Sequence, residues 1–131
     1  EYAISLMLAL SRKLPRAYNR VRDGNFSLDG LLGFDFYGKT VGIIGGGKIG
    51  QLVAERLKAF GCKILIYDPY NKDVCIQMGF NVVELHDLFA QSDIISLHCP
   101  LTESTRYIID DDAIEKMKQG VMLINTSRGQ I

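Results

Sequence analysis

The chain is poor in the features that would set it apart from ordinary globular proteins. Its cysteines are three, Cys62, Cys75 and Cys99, in 131 residues. Their number is odd, they lie far apart and no two form a C-x-x-C pair. This argues against a disulfide framework or a metal site and for small buried residues in a reducing, cytoplasmic compartment. Neither sign of charge is in excess. Lys plus Arg and Asp plus Glu are both 15, a formal net charge of zero, which removes any global electrostatic case for nucleic acid or an anionic membrane as partner. A long hydrophobic run is missing too. The most apolar stretch, Tyr2 to Leu10, is nine residues and contains Ser5, whereas a membrane span needs about 20. Internal repeats and low-complexity segments are absent.

What is present is 47% hydrophobic and 23% charged, enough chain for one domain and one core. The sequence opens without Met inside a helical pattern and stops at Ile131 after a strand and a charged loop. It is therefore expected to be an excised piece of a larger protein. Residues 1–18 read as a helix, with Ala3, Met7, Leu10, Leu14 and Ala17 at three- and four-residue steps. Ile4, Leu6 and Leu8 fill much of the remaining circumference, so burial on more than one side is expected. Pro15 is expected to kink or restart this helix. Residues 19–38 read as an irregular arm carrying Phe26, Leu28, Leu31, Leu32, Phe34, Phe36 and Tyr37. The two segments together, 1–38, are expected to contact a second subunit, as a homodimer, or another domain.

From residue 39 to 131 strands and helices alternate. Strands are expected at Val41–Ile44, Ile64–Tyr67, Asn81–Val83, Ile94–Leu97 and Val121–Ile124, and helices at Lys48–Phe60, Asn71–Met78, Glu84–Gln91 and Asp110–Lys118. The first of these helices is expected to turn Leu52, Val53, Leu57 and Phe60 to one side. Short apolar strands separated by helices imply a doubly wound α/β fold with a parallel sheet, and right-handed crossovers give strand order 3-2-1-4-5.

One stretch carries the most chemistry. Thr40 to Ile44 is an apolar strand ending in Gly45-Gly46-Gly47-Lys48-Ile49-Gly50, a G-x-G-x-x-G turn that opens a helix. Gly45 permits a sharp turn, Gly47 lets a pyrophosphate approach the backbone, and Gly50 lets the helix pack on the sheet. The free N–H groups of the first helical turn face the anion. Asp68 ends the next strand, 18 positions after Gly50, about the spacing of a carboxylate that grips a ribose and repels a 2′-phosphate, so NAD is favoured over NADP. A cap on the chain ahead of Pro69 is the alternative use of Asp68.

Ligands of such sheets lie at the carboxyl ends of the strands. His98-Cys99-Pro100-Leu101-Thr102 follows the fourth strand and Asn125-Thr126-Ser127-Arg128-Gly129 the fifth. Arg128 is the candidate for chemistry, because its planar fork matches a carboxylate bidentately and can polarise a 2-oxo acid's carbonyl; a surface arginine or a pyrophosphate ligand are the alternatives. Lys48 is expected to face solvent. His98 reads as a structural hydrogen-bonder beside the cofactor rather than a general acid, and His86 as structural or exposed. Glu84, Asp87 and Asp110 to Asp112 read as caps and solvated faces.

With these residues in hand, the chain resembles the D-isomer-specific 2-hydroxyacid dehydrogenases. The resemblance runs over essentially the whole length: Tyr18–Arg22 with Asp23, Asn25–Leu28, Tyr37–Thr40, Gly47–Gly50, Leu57-Lys58 with Phe60-Gly61, Tyr67–Tyr70, Ser96–Thr102, Met117 with Gly120–Met122, and Asn125–Gly129. It implies an NAD-dependent oxidoreductase that moves a hydride between the cofactor and a small 2-oxo or 2-hydroxy acid, pyruvate and D-lactate among them. It further implies that Lys48 and Ile49 meet the pyrophosphate through their backbone and that Asp68 binds the adenosine ribose. Cys99 and Pro100 would line the adenine side, Thr105 would lie near the cofactor, Thr126 and Ser127 would border the nicotinamide, and Arg128 would hold the substrate carboxylate. In the family a Glu and a His further along complete the site; both would lie beyond Ile131, and so would part of the substrate domain. Gly46 departs from the family, which often has Thr or a larger residue there; a looser turn is the expected consequence. The competing readings are an NAD-sensing or corepressor-type binding module on the same fold and a methyltransferase-like domain, which would have no use for Asn125–Gly129.

Overall fold

The computed structural model describes all of residues 1–131. It divides into two compact units, Glu1–Asp35 and Phe36–Ile131.

The first unit holds α1 (Tyr2–Ser11) and α2 (Leu14–Arg22). The helix expected over 1–18 is two, and it restarts beside Pro15 as expected. The break precedes Pro15 because Lys13 adopts a left-handed φ of 53°, and Pro15 then sits in the first turn of α2, where its missing N–H costs nothing. The break also resets the helical phase. The buried stripe of α1 is Ala3, Ile4, Met7 and Ser11, while Leu10 and Leu14 are exposed. α2 runs on to Arg22, into the segment read as an arm. The rest of that segment is held by arginines at four-residue spacing. The Arg20 guanidinium donates to the carbonyls of Ser27 (2.8 Å) and Asp29 (2.7 Å), that of Arg16 to Gly30 (3.3 Å), and Arg12 pairs with Asp35 at 3.2 Å.

The second unit is a five-stranded parallel sheet in the expected order, β3-β2-β1-β4-β5. Its strands are β1 (Thr40–Ile44), β2 (Lys63–Tyr67), β3 (Asn81–Val82), β4 (Ile94–Leu97) and β5 (Met122–Asn125). Its helices are α3 (Lys48–Ala59), α4 (Lys72–Gln77), α5 (Leu85–Gln91) and α6 (Asp111–Lys116). Central β1 pairs Val41 with Ile64 on one side and with Ile94 on the other. These strands are apolar on both faces because both faces are covered: Val41, Ile43, Ile66, Ile94 and Ile95 have no exposed surface. Burying each such side chain contributes roughly 1.5–3 kcal/mol. Asp93 fixes the amino ends of β1 and β4, accepting from the Thr40 N–H at 2.8 Å and from the Lys118 ammonium at 2.9 Å.

Two expectations change. On α3 the buried face is Gly50, Val53, Ala54 and Leu57, whereas Leu52 and Phe60 are exposed; the stripe follows the 3.6-residue period through small residues rather than the largest ones. Phe36 belongs to the second unit, is buried, and meets Phe60 edge-on with ring centres 6.0 Å apart.

Candidate functional site

Because the sheet is parallel, the loops after β1, β2, β4 and β5 leave the same edge. The turn after β1 shows what each glycine does. Gly45 has φ of 102°, and a Cβ there would lie 2.6 Å from the Cys99 nitrogen. A Cβ on Gly50 would collide with the Gly45 carbonyl oxygen. Gly47 differs: its φ is −70°, which any residue adopts, and nothing lies within 4 Å of where a Cβ would stand. Neither its dihedrals nor its packing call for glycine. Gly47 lines a cleft of about 300 Å³, so its missing side chain keeps open a cradle that a Cβ would fill. It is also the N-cap of α3, with no side-chain cap. The orphan N–H groups of Lys48, Ile49 and Gly50 and the positive end of the helix dipole are thus free for an anion.

The cleft is lined further by Asp68 to Asn71 after β2, His98 to Pro100 after β4, and Thr102, Ser104 and Thr105 beyond. Asp68 is buried, and its two oxygens accept four bonds from this chain. Oδ1 takes the N–H groups of Tyr70 (2.7 Å) and Asn71 (2.9 Å); Oδ2 takes the Gly46 N–H (2.7 Å) and the Asn71 side-chain amide (2.9 Å). Burial pushes this carboxyl upward, but the bonds from Asn71, Tyr70 and Gly46 outweigh it and hold the acid below its ordinary range. An ionised carboxylate has about four lone-pair positions. A ribose hydroxyl bonded here shares or replaces one of these donors, and the Asn71 side-chain amide is the one that is not backbone. Asp68 therefore also braces the glycine turn, a use its position alone did not reveal.

His98 bonds Ser96 through Nε2 at 2.8 Å. The Ser96 hydroxyl is fully buried, and the His98 ring nitrogen is the side-chain partner that satisfies it. Burial holds His98 down at about 4, which keeps it neutral and unsuited to act as an acid at pH 7. His86 is exposed beside Asp87 at 3.4 Å. Thr105 staples the cleft's rim, donating from its hydroxyl to the Pro100 carbonyl at 2.6 Å and accepting the Thr102 N–H at 2.8 Å. Asp110 caps α6 through the Ala113 N–H at 2.8 Å.

Of the candidate residues, Gly45, Gly47, Asp68, Cys99, Pro100 and Thr105 line the cleft. Lys48, Ile49 and Gly50 begin α3 beside it, with Lys48 and Ile49 exposed. Thr126, Ser127 and Arg128 follow β5 and do not line it. Their loop is ordered by its own bonds. The Ser127 hydroxyl donates to the Leu97 carbonyl at 3.0 Å, the Ser127 N–H to Asn125 Oδ1 at 2.9 Å, and the Asn125 amide to the Arg128 carbonyl at 2.8 Å. The Arg128 side chain is exposed; its guanidinium donates to the Ser127 carbonyl at 3.0 Å and joins no ion pair. Sequence reasoning missed Asn71, whose only signal was its place three residues after Asp68. No group of three or more His, Cys, Asp or Glu side chains is disposed to hold a metal, and no helix is long and apolar enough to cross a membrane.

A parallel sheet in this order, a glycine turn with one open cradle and an acid at the end of β2 define a dinucleotide-binding domain. Residues 4–131 match the D-isomer specific 2-hydroxyacid dehydrogenase NAD binding domain, and the chain belongs to that family. NAD is the cofactor of this domain, and the Gly47 cradle fits it. The chain is 54% identical over 129 residues to 2-hydroxyacid dehydrogenase A of Aspergillus oryzae, covering 98% of the chain and 37% of that protein. It is 50% identical over 131 residues to the D-lactate dehydrogenase of Escherichia coli K12, covering 100% and 40%. Among solved structures, it matches Aquifex aeolicus D-lactate dehydrogenase complexed with NAD and lactic acid with a TM-score of 0.92 and 39% identity, over 98% of this chain and 39% of that one. The chain thus spans about two-fifths of the length of these relatives.

Proposed function

We propose that this chain is the cofactor-binding core of an NAD-dependent D-2-hydroxyacid dehydrogenase that interconverts pyruvate and D-lactate. The observation that carries the proposal is the exposed Arg128. It stands on an ordered loop at the carboxyl edge of β5, the sheet edge that also carries the glycine turn, and its guanidinium has no acidic partner. A planar fork so disposed suits a substrate carboxylate. Identity of 50% to a D-lactate dehydrogenase supports the choice of substrate.

The cofactor supplies the hydride. The chain's own residues bind and orient: the first turn of α3 takes the pyrophosphate, Asp68 the adenosine ribose, Cys99, Pro100 and Thr105 the adenine side, and Thr126 and Ser127 the nicotinamide half. Arg128 holds the carboxylate and draws electron density from the neighbouring carbonyl. The family resemblance assigns the proton to a His paired with a Glu outside residues 1–131, and His98, bonded to Ser96 and held down by burial, is not given that role. The reading includes a cytoplasmic, fermentative enzyme, in keeping with three free buried thiols. It also includes a homodimer through residues 1–38, where Tyr18, Phe26, Leu28 and Leu32 are exposed.

The test is Arg128→Lys in the full-length enzyme. Lysine keeps the charge but loses the fork. Pyruvate kcat/KM is expected to fall about 100-fold, the equivalent of one bidentate charged contact, with NADH affinity unchanged within about twofold. A variant that loses mainly NADH affinity assigns Arg128 to the pyrophosphate instead.

A further inference from the structure

Gly46 is the glycine of the turn whose nearest obstacle is a side chain from a distant element rather than backbone. It is buried, and a Cβ there would lie 2.5 Å from the sulfur of Cys75, 3.2 Å from Ile66 Cγ2 and 3.3 Å from Asp68 Cβ. The nearest obstacle is a side chain of α4, 29 residues away in sequence. Cys75 has no exposed surface and does not line the cleft. Its Sγ lies 3.6 Å from the Gly46 carbonyl oxygen in a hydrogen bond, and the same oxygen accepts the Gln51 side-chain amide at 2.7 Å. On the other side of the peptide, the Gly46 N–H donates to Asp68.

We propose that Cys75 is a positioning residue for the cofactor: its side chain fills the space that a side chain on residue 46 would take. The pair Gly46–Cys75 thereby holds the backbone that presents Gly47 to the pyrophosphate. Two consequences follow from the contacts. The turn is not loosened by its extra glycine, because the peptide of Gly46 is gripped by Asp68, Gln51 and Cys75. Residues 46 and 75 are also coupled in volume, so that a larger residue at one demands a smaller residue at the other. Burial and the adjacent Asp68 charge both raise the Cys75 thiol, keeping it a protonated donor to the Gly46 carbonyl.

The inference rests on the NAD-binding reading of the cleft. Its test is a double-mutant cycle in the full-length protein, reading NADH affinity by fluorescence and stability by thermal melting. Gly46→Ala is expected to weaken NADH about tenfold or more, since the new methyl group must displace the sulfur. Cys75→Ala removes the wedge and is expected to weaken NADH about threefold to tenfold through a turn that is no longer held. The double variant is expected to return to within about threefold of the parent, because the methyl group introduced at position 46 enters the vacated volume. Cys75→Ser keeps a donor but only part of the sulfur's volume, and is expected to fall between the parent and Cys75→Ala. If Gly46→Ala does not fold, recovery of a folded, NADH-binding double variant supports the pairing. Multiplicative losses in the double variant overturn it, as does Cys75→Ala melting lower with unchanged NADH affinity. Failure of the unsubstituted protein to bind NADH would instead overturn the cofactor reading beneath it.

Discussion

The loops after β1 and after β5 leave the same sheet edge, and they are built differently. In the turn after β1 the glycines are closely packed or bonded. Gly45 meets Cys99, Gly50 meets Gly45, and Gly46 is held by Asp68, Gln51 and Cys75. The one opening is at Gly47, on the cleft. The loop after β5 is ordered by Asn125 and Ser127, yet it leaves its charged residue, Arg128, exposed with no ion pair. The first loop is complete as it stands and needs only a ligand. The second presents a charge with no acidic partner within residues 1–131. The contrast matches the division of labour proposed above: the cofactor half of the reaction is carried within residues 1–131, and the substrate half is shared with a part outside them.

The contrast breaks most severely at Gly50. Gly50→Ala drives a methyl group into the Gly45 carbonyl, backbone against backbone, with no flexible side chain to yield. It is expected to cost about 3 kcal/mol or more and to abolish NADH binding; a melting temperature near the parent's would show that the turn is looser than described.

Acid sharpens the comparison at intermediate size. His98 stays neutral in the folded chain down to about 4, whereas an unfolded histidine takes up its proton near 6.5 (about the ordinary value). Between those values the unfolded chain binds more protons, so stability falls as pH drops through that window. Asp68 and Asp93, both held below the ordinary carboxylate range, lose their contributions in the same direction at lower pH still. The His98 loss is expected to be on the order of 2 kcal/mol by pH 4. Denaturant melts from pH 7 to 4 should show it, and His98→Gln should remove the slope above pH 4 while leaving the carboxylate-driven loss below it.

Much of this was legible in the sequence, and for identifiable reasons. Strand order followed from the alternation of short apolar runs with helices, because a parallel sheet buries both faces and leaves few topologies open. Gly45, Gly47, Gly50 and Asp68 could be placed at this sheet edge because a glycine turn and an acid at the end of the next strand keep a fixed spacing in such folds. What escaped was set by contacts between distant residues. Pro15 marked the restart of the first helix, but the break itself falls two residues earlier at Lys13, whose left-handed φ no propensity signals. The arm is held by Arg12, Arg16 and Arg20, whose carbonyl and carboxylate partners lie further along the chain and leave no local pattern. The partnership of Gly46 with Cys75 spans two elements and leaves no local pattern. The exposure of Leu52 and Phe60 on α3 arose because Gly50 and Ala54 let the helix pack closely, at the expense of the bulkier positions beside them.

The most direct measurement concerns Gly47, the only glycine of the turn that the protein itself does not require. Serine is at least as good an N-cap as glycine, and its side chain would point into open space. Gly47→Ser in the full-length protein should therefore keep the thermal stability, changing it by only about a few tenths of a kcal/mol. The same substitution should weaken NADH by about tenfold or more, the equivalent of one charge-assisted contact. A stable Gly47→Ser protein with unchanged NADH affinity would contradict the claim that this turn is shaped around the cofactor.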